Sequence, residues 1–403
     1  MMQQDTKENL KLNPLVFSVL IIYPLILLGL TVWYGMAYGI SSFEILLFVA
    51  AYYGANISVG LGLHRLWAHN AYKVNKVVEF ILALLSAGTL QGPALIWASD
   101  HHNHHTFTDE ENDPHSALRY KSKLKGFLWA HMGWMLYSEG PVANINKVTM
   151  VKLGRNKILR WQMKHYWAIA TFMNAILPPI VGFAFVHTAQ GALAGYIFIG
   201  LARAFQQQMT FCVNSLTHAV GNKPYYNGTA GDIWWMFMFL LGENWHNFHH
   251  AFANDYRNGP KWYQLDVHKW LIAGLEKLGL ATDLVRTSEV RIQAKMAAAK
   301  QEIAEHVRTD LSIIEHASEI IAKAAYERLQ QAEKSAEILA YKLHDKILEL
   351  RIMALHLGKN AKETLTSAEV LSQNIGKNYM QQFRKLERLA KQLNIALPKL
   401  QNL

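Results

Sequence analysis

The chain has 403 residues and a formal net charge of +10, and 51% of its residues are hydrophobic whereas only 17% are charged. Soluble domains carry about 25% charged residues, so this composition indicates long apolar segments and excludes disordered and collagen-like chains. The single cysteine, Cys212, cannot form an internal disulfide, which excludes a disulfide scaffold.

Long apolar segments predict an all-α membrane protein with four transmembrane helices in two hairpins. Each segment is long enough to cross about 30 Å of hydrocarbon at 1.5 Å per residue. Arg203 and the glutamines after it should face a cavity or another helix rather than lipid. The predicted spans are residues 15–40, 43–63, 166–186 and 192–213.

The segments outside the spans are predicted to lie on one side of the membrane. Residues 77–97 are also apolar, but a crossing there would place the flanking histidine-rich segments on opposite sides, so a surface or re-entrant helix is favoured. Lys and Arg concentrate before the first span and between the hairpins. The positive-inside rule therefore predicts that residues 1–13, the central loop and the C-terminus are cytoplasmic.

Histidine is the most unusual feature, because many of the 19 histidines cluster beside the predicted spans. On a helix, residues at i, i+3 and i+4 share a face, so each HxxHH triple should converge. His64 and His69 are five residues apart, about 140° around an ideal helix, so they should straddle a helix end or bind different metals. The clusters are HRLWAH at 64–69, DHHNHH at 100–105, NSLTH at 214–218 and GENWHNFHH at 242–250.

Nine imidazoles exceed the three to six ligands of one metal ion, so the clusters predict a dimetal site in a cytoplasmic helical cap. Ligand type alone leaves Fe, Cu, Zn and Ni open. Asn214 lies one turn before His218 and could hold a metal-bound water. The expected partners of the imidazole N–H groups are Asp100, Asp109, Glu111, Asp113 and Glu243. The histidines interpreted as ordinary surface or core side chains are His102, His115, His131, His165, His187 and His268.

These motifs resemble those of integral-membrane fatty acyl desaturases, in particular the acyl-CoA Δ9 (stearoyl-CoA type) branch. The resemblance covers about residues 14–266, within a membrane desaturase domain predicted to span residues 14–284, and it rests on the four histidine motifs together. It implies O₂-dependent formation of a cis double bond near Δ9 in a saturated acyl chain at a diiron centre. The implied ligands are His64, His69, His101, His104, His105, His218, His246, His249 and His250, with Asn214 acting through a water.

The resemblance also implies substrate-binding residues. Gln91, Trp97 and Thr210 would shape a kinked acyl tunnel, and Tyr52, with Asn56 beside it, would close its far end. Asp100 and Lys125 would contact the head group. Ser99, Gly92 and Phe211 depart from the animal enzymes where coenzyme A is held, so acyl-CoA, acyl carrier protein and lipid head groups stay open.

The remaining expectations concern partners. No His-Pro-Gly-Gly segment is present, so electrons are expected from a separate ferredoxin or from cytochrome b5 with its reductase. The positive charge suits anionic lipid, and no motif indicates nucleic acid. Residues 285–403 are predicted to form an amphipathic helical extension, interpreted as an oligomerisation coiled coil, a docking helix or a membrane-surface helix. The alternative functions are a related diiron hydroxylase or ketolase, and a non-catalytic metal-binding scaffold.

Overall fold

The structure is a computed structural model that describes residues 10–137 and 145–330. It divides into two compact units, Met1–Glu289 and Val290–Leu403. Its helices are α1 Pro14–Tyr38, α2 Ser42–Ala68, α3 Lys76–Gly88, α4 Ala94–Phe107, α5 Lys123–Leu128, α6 Lys147–Leu153, α7 Lys157–Lys164, α8 Tyr166–Val186, α9 189–215, α10 His246–Ala251, α11 Val267–Lys277 and α12 Glu289–Gln330.

Short elements complete the described chain. Strands β1 Lys73–Val74 and β2 Ala281–Thr282 pair antiparallel, with Lys73 opposite Thr282. Single helical turns lie at Trp134–Leu136, Trp234–Met236 and Phe237–Leu240. Turns with π-helical i→i+5 hydrogen bonds lie at Ser18–Ile22, Ser58–Ala68, Trp129–Gly133, Phe172–Ile176 and Gly195–Ile199.

Three helices among the described residues are long and apolar enough to cross a membrane: α1, α2 and α8. They overlap three of the four predicted spans. The segment predicted as a fourth span is helical throughout as α9, but it is not one of these three, because Arg203 and three glutamines make it less apolar. Arg203 is buried and donates to Gln207 Oε1 at 3.0 Å, so its charge faces the protein interior.

The boundary between α1 and α2 follows from a local capping motif. Ser41 accepts a hydrogen bond from the backbone N–H of Phe43, and Glu44 accepts one from the Ser41 N–H at 2.8 Å. This reciprocal pair satisfies amide groups at the start of α2 that have no partner within the helix. The Tyr34 hydroxyl donates to Glu44 at 2.9 Å, which explains how the carboxylate tolerates burial.

The apolar stretch at residues 77–97 is divided between two helices. Most of it lies in α3, which has 13 residues and is about 20 Å long, too short for a 30 Å hydrocarbon core. A turn with Leu90 in the left-handed region then leads into α4. The stretch is therefore not a span in this structure, in line with the expectation from sequence.

Two apolar clusters position the functional helices. Tyr34, Leu47 and Phe198 pack where α1, α2 and α9 meet. A larger cluster joins the end of α2 to the shorter helices, with members including Leu63, Leu82, Leu95, Leu159 and Ile272 from α2, α3, α4, α7 and α11. The histidine-bearing ends of α2 and α4 are thus fixed by the same core.

The second unit is described only through α12, which ends at Gln330. Its start at Glu289 lies close to the predicted start of the C-terminal extension at residue 285. The rest of that extension, residues 331–403, and the histidines His344 and His356 lie outside the described residues. The predicted oligomerisation role stays a prediction.

Candidate metal centre

Nine imidazoles from four segments meet in two groups. Within each group, the candidate ligand atoms lie within 4.8 Å of one another. Group A contains His64, His69, His101, His105 and His249, and group B contains His104, His218, His246 and His250. Every histidine in the predicted ligand set therefore belongs to one of the two groups.

The spacing of His64 and His69 is explained by the π-helical end of α2. Over Ser58–Ala68 the helix forms i→i+5 hydrogen bonds, and the His69 N–H donates to the His64 carbonyl at 3.1 Å. This wider turn brings residues five apart to one side, whereas an α-helix would separate them. The two ring centroids are 4.8 Å apart, so both histidines belong to group A rather than to different sites.

Each HxxHH triple is shared between the groups. On α4, His101 and His105 face group A and His104 faces group B, and on α10 His249 faces group A whereas His246 and His250 face group B. The i, i+4 pairs thus stay together, and the middle residue of α4 and of α10 crosses to the other group. The sequence predicted convergence of each triple, and the structure refines it into a reciprocal exchange.

The distances between imidazole nitrogens match metal coordination. The Nε2 atoms of His64 and His249 are 3.0 Å apart, and those of His69 and His101 are 2.8 Å apart. In group B, the Nε2 atom of His246 lies 3.0 Å from that of His250. Metal–nitrogen bonds of about 2.1 Å at roughly right angles place two ligand atoms about 3 Å apart. An all-nitrogen set of five and four ligands therefore fits two transition-metal ions.

Eight of the nine imidazoles are held in the neutral form that binds metal. For seven of them, burial, and then repulsion between neighbouring rings, lowers the pKa well below its ordinary value. Burial lowers the pKa of His218 to about 4. The groups with strongly lowered pKa values are His69, His101, His104, His105, His246, His249 and His250.

Carboxylates beside the groups fix the tautomers of their imidazoles. Glu243 Oε2 lies 2.7 Å from His64 Nδ1, and Asp113 accepts a hydrogen bond from His104 Nδ1 at 2.9 Å. These contacts leave Nε2 of each ring free for a metal. Asp109 acts one step further out, because its partner Thr229 lies 2.7 Å from His218 Nδ1.

Of the five carboxylates expected from the sequence, three thus support an imidazole. The other two do not: Glu111 is exposed, and Asp100 lines a cavity. Sequence reasoning missed Arg65, which is fully buried and bridges Glu243 at 2.9 Å and Asp266 at 3.0 Å. The sequence did offer one indication of its role, because Arg65 lies between His64 and His69 in the first histidine motif. Thr229 gave no signal.

A cavity of about 450 Å³ reaches the metal centre. His101 and Asn214 are among its lining residues, and its walls are largely apolar, with contributions from α1, α4, α8 and α9. The Trp97 ring stacks on the His101 ring with centroids 4.9 Å apart, which orients this imidazole. Gln91, Trp97 and Thr210, predicted as tunnel residues, all line the cavity.

Of the other predicted substrate residues, one lines this cavity and three do not. Tyr52 and Asn56 are not among the lining residues, and both donate to the Phe239 carbonyl, at 2.6 and 2.7 Å. Lys125 is exposed and also outside the lining, whereas Asp100 is part of it.

The three positions that depart from the animal enzymes are also placed. Ser99 is buried, and its hydroxyl accepts from the Asn146 N–H at 2.6 Å. Gly92 and Phe211 line the cavity.

The histidines interpreted as ordinary side chains fall into two classes. His102, His165 and His187 are exposed, and His131 is half-buried between Ser215 and Gln208. His115 and His268 are buried and contact the partners of the imidazole groups: His115 lies beside Asp113, and His268 lies 3.0 Å from Glu243.

Comparisons with known proteins agree with this site. Residues 41–284 match the family model described as fatty acid desaturase. The chain is 34% identical over 270 residues to a probable acyl-CoA desaturase of Schizosaccharomyces pombe, covering 66% of this chain and 54% of the relative. It therefore spans about half the length of that relative.

The names of two further relatives refer to other head groups, an acyl lipid and an acyl carrier protein. The chain is 33% identical over 236 residues to Delta-9 acyl-lipid desaturase 1 of Arabidopsis thaliana, covering 57% of this chain and 72% of the relative. It is 32% identical over 276 residues to the hex-5-enoyl-[acyl-carrier protein] acetylenase of Moorena producens, covering 65% of this chain and 83% of the relative.

Proposed function

This chain belongs to the fatty acid desaturase family, and from that premise we propose that it is a membrane enzyme that places a cis double bond in a saturated fatty acyl chain. The single observation that carries the proposal is the joining of two imidazole groups to an apolar cavity. The proposed substrate is a long-chain acyl thioester, acyl-CoA in the first place, with the double bond near Δ9.

The proposed cofactor is a pair of iron ions. Group A would hold one ion through five imidazoles, and group B would hold the other through four, with Asn214 adding a water. When bound, the two ions would supply the oxidising power to remove hydrogen from two adjacent methylenes, using O₂ and two external electrons. Glu243 and Asp113 keep Nε2 of His64 and His104 turned toward the ions.

The cavity would orient the acyl chain. Its apolar walls exclude water and let the chain reach His101 from the lipid side. Three of the polar lining side chains are linked by hydrogen bonds: Trp97 donates to Gln91 at 3.3 Å, Gln91 donates to Gln206 behind the wall at 3.3 Å, and Gln206 donates to Thr210 at 2.6 Å. These bonds lower the cost of placing a methylene chain against them.

The proposed setting is a multi-pass membrane protein with α9 as a fourth span and with both termini and the metal centre in the cytoplasm. Three apolar helices support the membrane location, and the buried side chains of Arg203 and Gln207 support a span that packs within the protein. A separate ferredoxin, or cytochrome b5 with its reductase, would supply the electrons. We keep self-association through the C-terminal helices as part of the proposal.

Complementation of an unsaturated fatty-acid auxotroph tests the proposed function. The wild-type gene, supplied with a ferredoxin and a cytochrome b5 donor system, should restore growth without added oleate. His249→Ala should not, because His249 lies 3.0 Å from His64 and 2.9 Å from His105 within group A. His187→Asn is the matched control, since His187 is exposed in a left-handed turn that asparagine adopts readily. Growth with His249→Ala would contradict the proposal.

A further inference from the structure

His268 on α11 is a buried imidazole that belongs to neither group. Its exposed fraction is 0%, and its Nδ1 lies 3.0 Å from Glu243 Oε1. Burying an imidazole destabilises the fold unless its polar atoms form hydrogen bonds. His268 and His64 contact the same carboxylate, because Glu243 Oε2 lies 2.7 Å from His64 Nδ1.

Glu243 receives donors on both of its oxygens. Oε2 lies 2.7 Å from His64 Nδ1 and accepts a hydrogen bond from Asn258 Nδ2 at 2.6 Å. Oε1 accepts from Arg65 at 2.9 Å and from His268 Nδ1 at 3.0 Å. The carboxylate is thereby oriented by one pair of donors on each side, and only the His64 contact leads to a candidate metal ligand.

The fold makes room for His268 directly beside the ligand-bearing turn. A Cβ atom at Gly60 would come within 2.2 Å of the His268 ring, so only glycine fits there. Gly60 lies four residues before His64 on α2. Gly242, in a left-handed conformation, similarly leaves space for Asp266 and Arg65 next to Glu243. Two glycines thus let the network close around one carboxylate.

From these contacts we infer that His268 is a positioning residue of the metal centre, acting through Glu243 to orient His64. The inference rests on the proposed metal centre. With His268 in place, Oε1 is held from two directions, and Oε2 stays aimed at His64 Nδ1. Without it, Arg65 alone holds Oε1, and the carboxylate can turn toward the guanidinium and away from His64.

The expected effect is on metal binding by group A alone. Loss of a direct partner of a metal ligand reduces metal affinity by about 10- to 100-fold, and His268 acts one contact further out, so the expected loss is about 10-fold. Group B should keep its affinity, because its ligand His104 is oriented by Asp113 instead. The effect should require loss of the donor rather than loss of the ring.

The test compares His268→Leu with His268→Asn in the full-length protein. Asparagine places an amide N–H near the position of Nδ1, whereas leucine fills similar space without a donor. Each purified protein is stripped of metal with a chelator and titrated with Co²⁺, and binding is followed by calorimetry and by Co²⁺ visible absorption. His268→Leu should weaken one of two Co²⁺ binding events by about 10-fold, and His268→Asn should restore most of that affinity.

The melting temperature and the Co²⁺ titration together separate positioning from general damage. The melting temperature of each metal-free variant is compared with that of His131→Leu, which removes a half-buried imidazole with two hydrogen bonds outside the two groups. Equal weakening of both Co²⁺ events would overturn the inference and indicate a structural role. Unchanged binding in His268→Leu would overturn it while leaving the metal centre intact, whereas a wild-type protein that binds fewer than two Co²⁺ ions would overturn both.

Discussion

Glu243 and Asp113 serve different imidazole groups, so paired substitutions should separate the two proposed metal ions. Glu243→Gln replaces the carboxylate beside His64 by a neutral amide, and Asp113→Asn does the same for the carboxylate that accepts from His104. Each should weaken one metal-binding event by about 10- to 100-fold, or roughly 1.4 to 2.7 kcal/mol, and leave the other unchanged.

The two variants should also differ in the stability of the metal-free protein. Glu243→Gln leaves Arg65, whose side chain is 1% exposed, with Asp266 as its single carboxylate, and breaking such a buried ion pair costs about 3 to 5 kcal/mol. Asp113→Asn weakens the hydrogen bonds that Asp113 Oδ1 accepts from His104 Nδ1 and from the His115 N–H, and it leaves no buried charge unpaired, so the loss is about 1 to 3 kcal/mol.

Metal analysis and calorimetry on the full-length protein in detergent provide the assay. Co²⁺ titration gives the affinity of each binding event, and chemical denaturation of the metal-free protein gives the free energy of unfolding. Equal effects of the two substitutions on both binding events would refute the division of the histidines into two independently supported groups.

Three further predictions follow from particular side chains. His249→Ala should abolish unsaturated product and reduce bound iron without changing membrane insertion, because His249 belongs to group A and lies outside the apolar spans. Gas chromatography and iron analysis of membranes check this, and normal product would remove His249 from the proposed ligand set. Ile96→Phe should shift the product toward shorter acyl chains, because Ile96 lines the cavity and the larger ring would shorten it. Ile96→Val, the control, should not. An unchanged chain-length profile in Ile96→Phe would place the acyl chain outside this cavity. The metal-free protein should lose stability as pH falls from about 6.5 toward 4, because unfolded His218 gains a proton near its ordinary pKa of 6.5 whereas folded His218 does so only at about 4. The difference between the two pKa values corresponds to about 3 kcal/mol of folding stability for this side chain. That stability is present in full above pH 6.5, and a melting temperature that rises on acidification would contradict the prediction.

Part of the histidine grouping was readable from the sequence because that part depends on local spacing. The i, i+4 pairs His101–His105 and His246–His250 follow from helix geometry, and each pair stays in one group. The pairing of His64 with His69 was left open, because an ideal helix separates residues five apart. The π-helical turn that joins them depends on packing at the end of α2, and a sequence pattern does not show it.

The supporting network was harder to predict because its partners are distant in the chain. Arg65 meets Glu243 across 178 residues and Asp266 across 201 residues, so no periodicity links them. His268 carried no motif and was interpreted as an ordinary core side chain. Only the fold shows that it shares a carboxylate with His64.

The membrane helices show a similar division. Uninterrupted apolar runs located α1, α2 and α8 within a few residues. The segment of α9 was identified as helical, but its buried Arg203 and Gln207 depend on partners in other elements, such as the Thr89 carbonyl that accepts from Gln207 at 2.9 Å. Hydropathy alone does not separate such a helix from a buried helix of a soluble domain.

Product analysis tests the central claim most directly. The full-length protein is expressed with an electron-donor system in a desaturase-deficient host, and total fatty acids are examined by gas chromatography–mass spectrometry after derivatisation of double bonds. The account predicts a new cis monoene near Δ9 in the wild type and none in His249→Ala. A hydroxylated or keto product in place of the monoene would contradict desaturation and assign the centre to oxygen insertion.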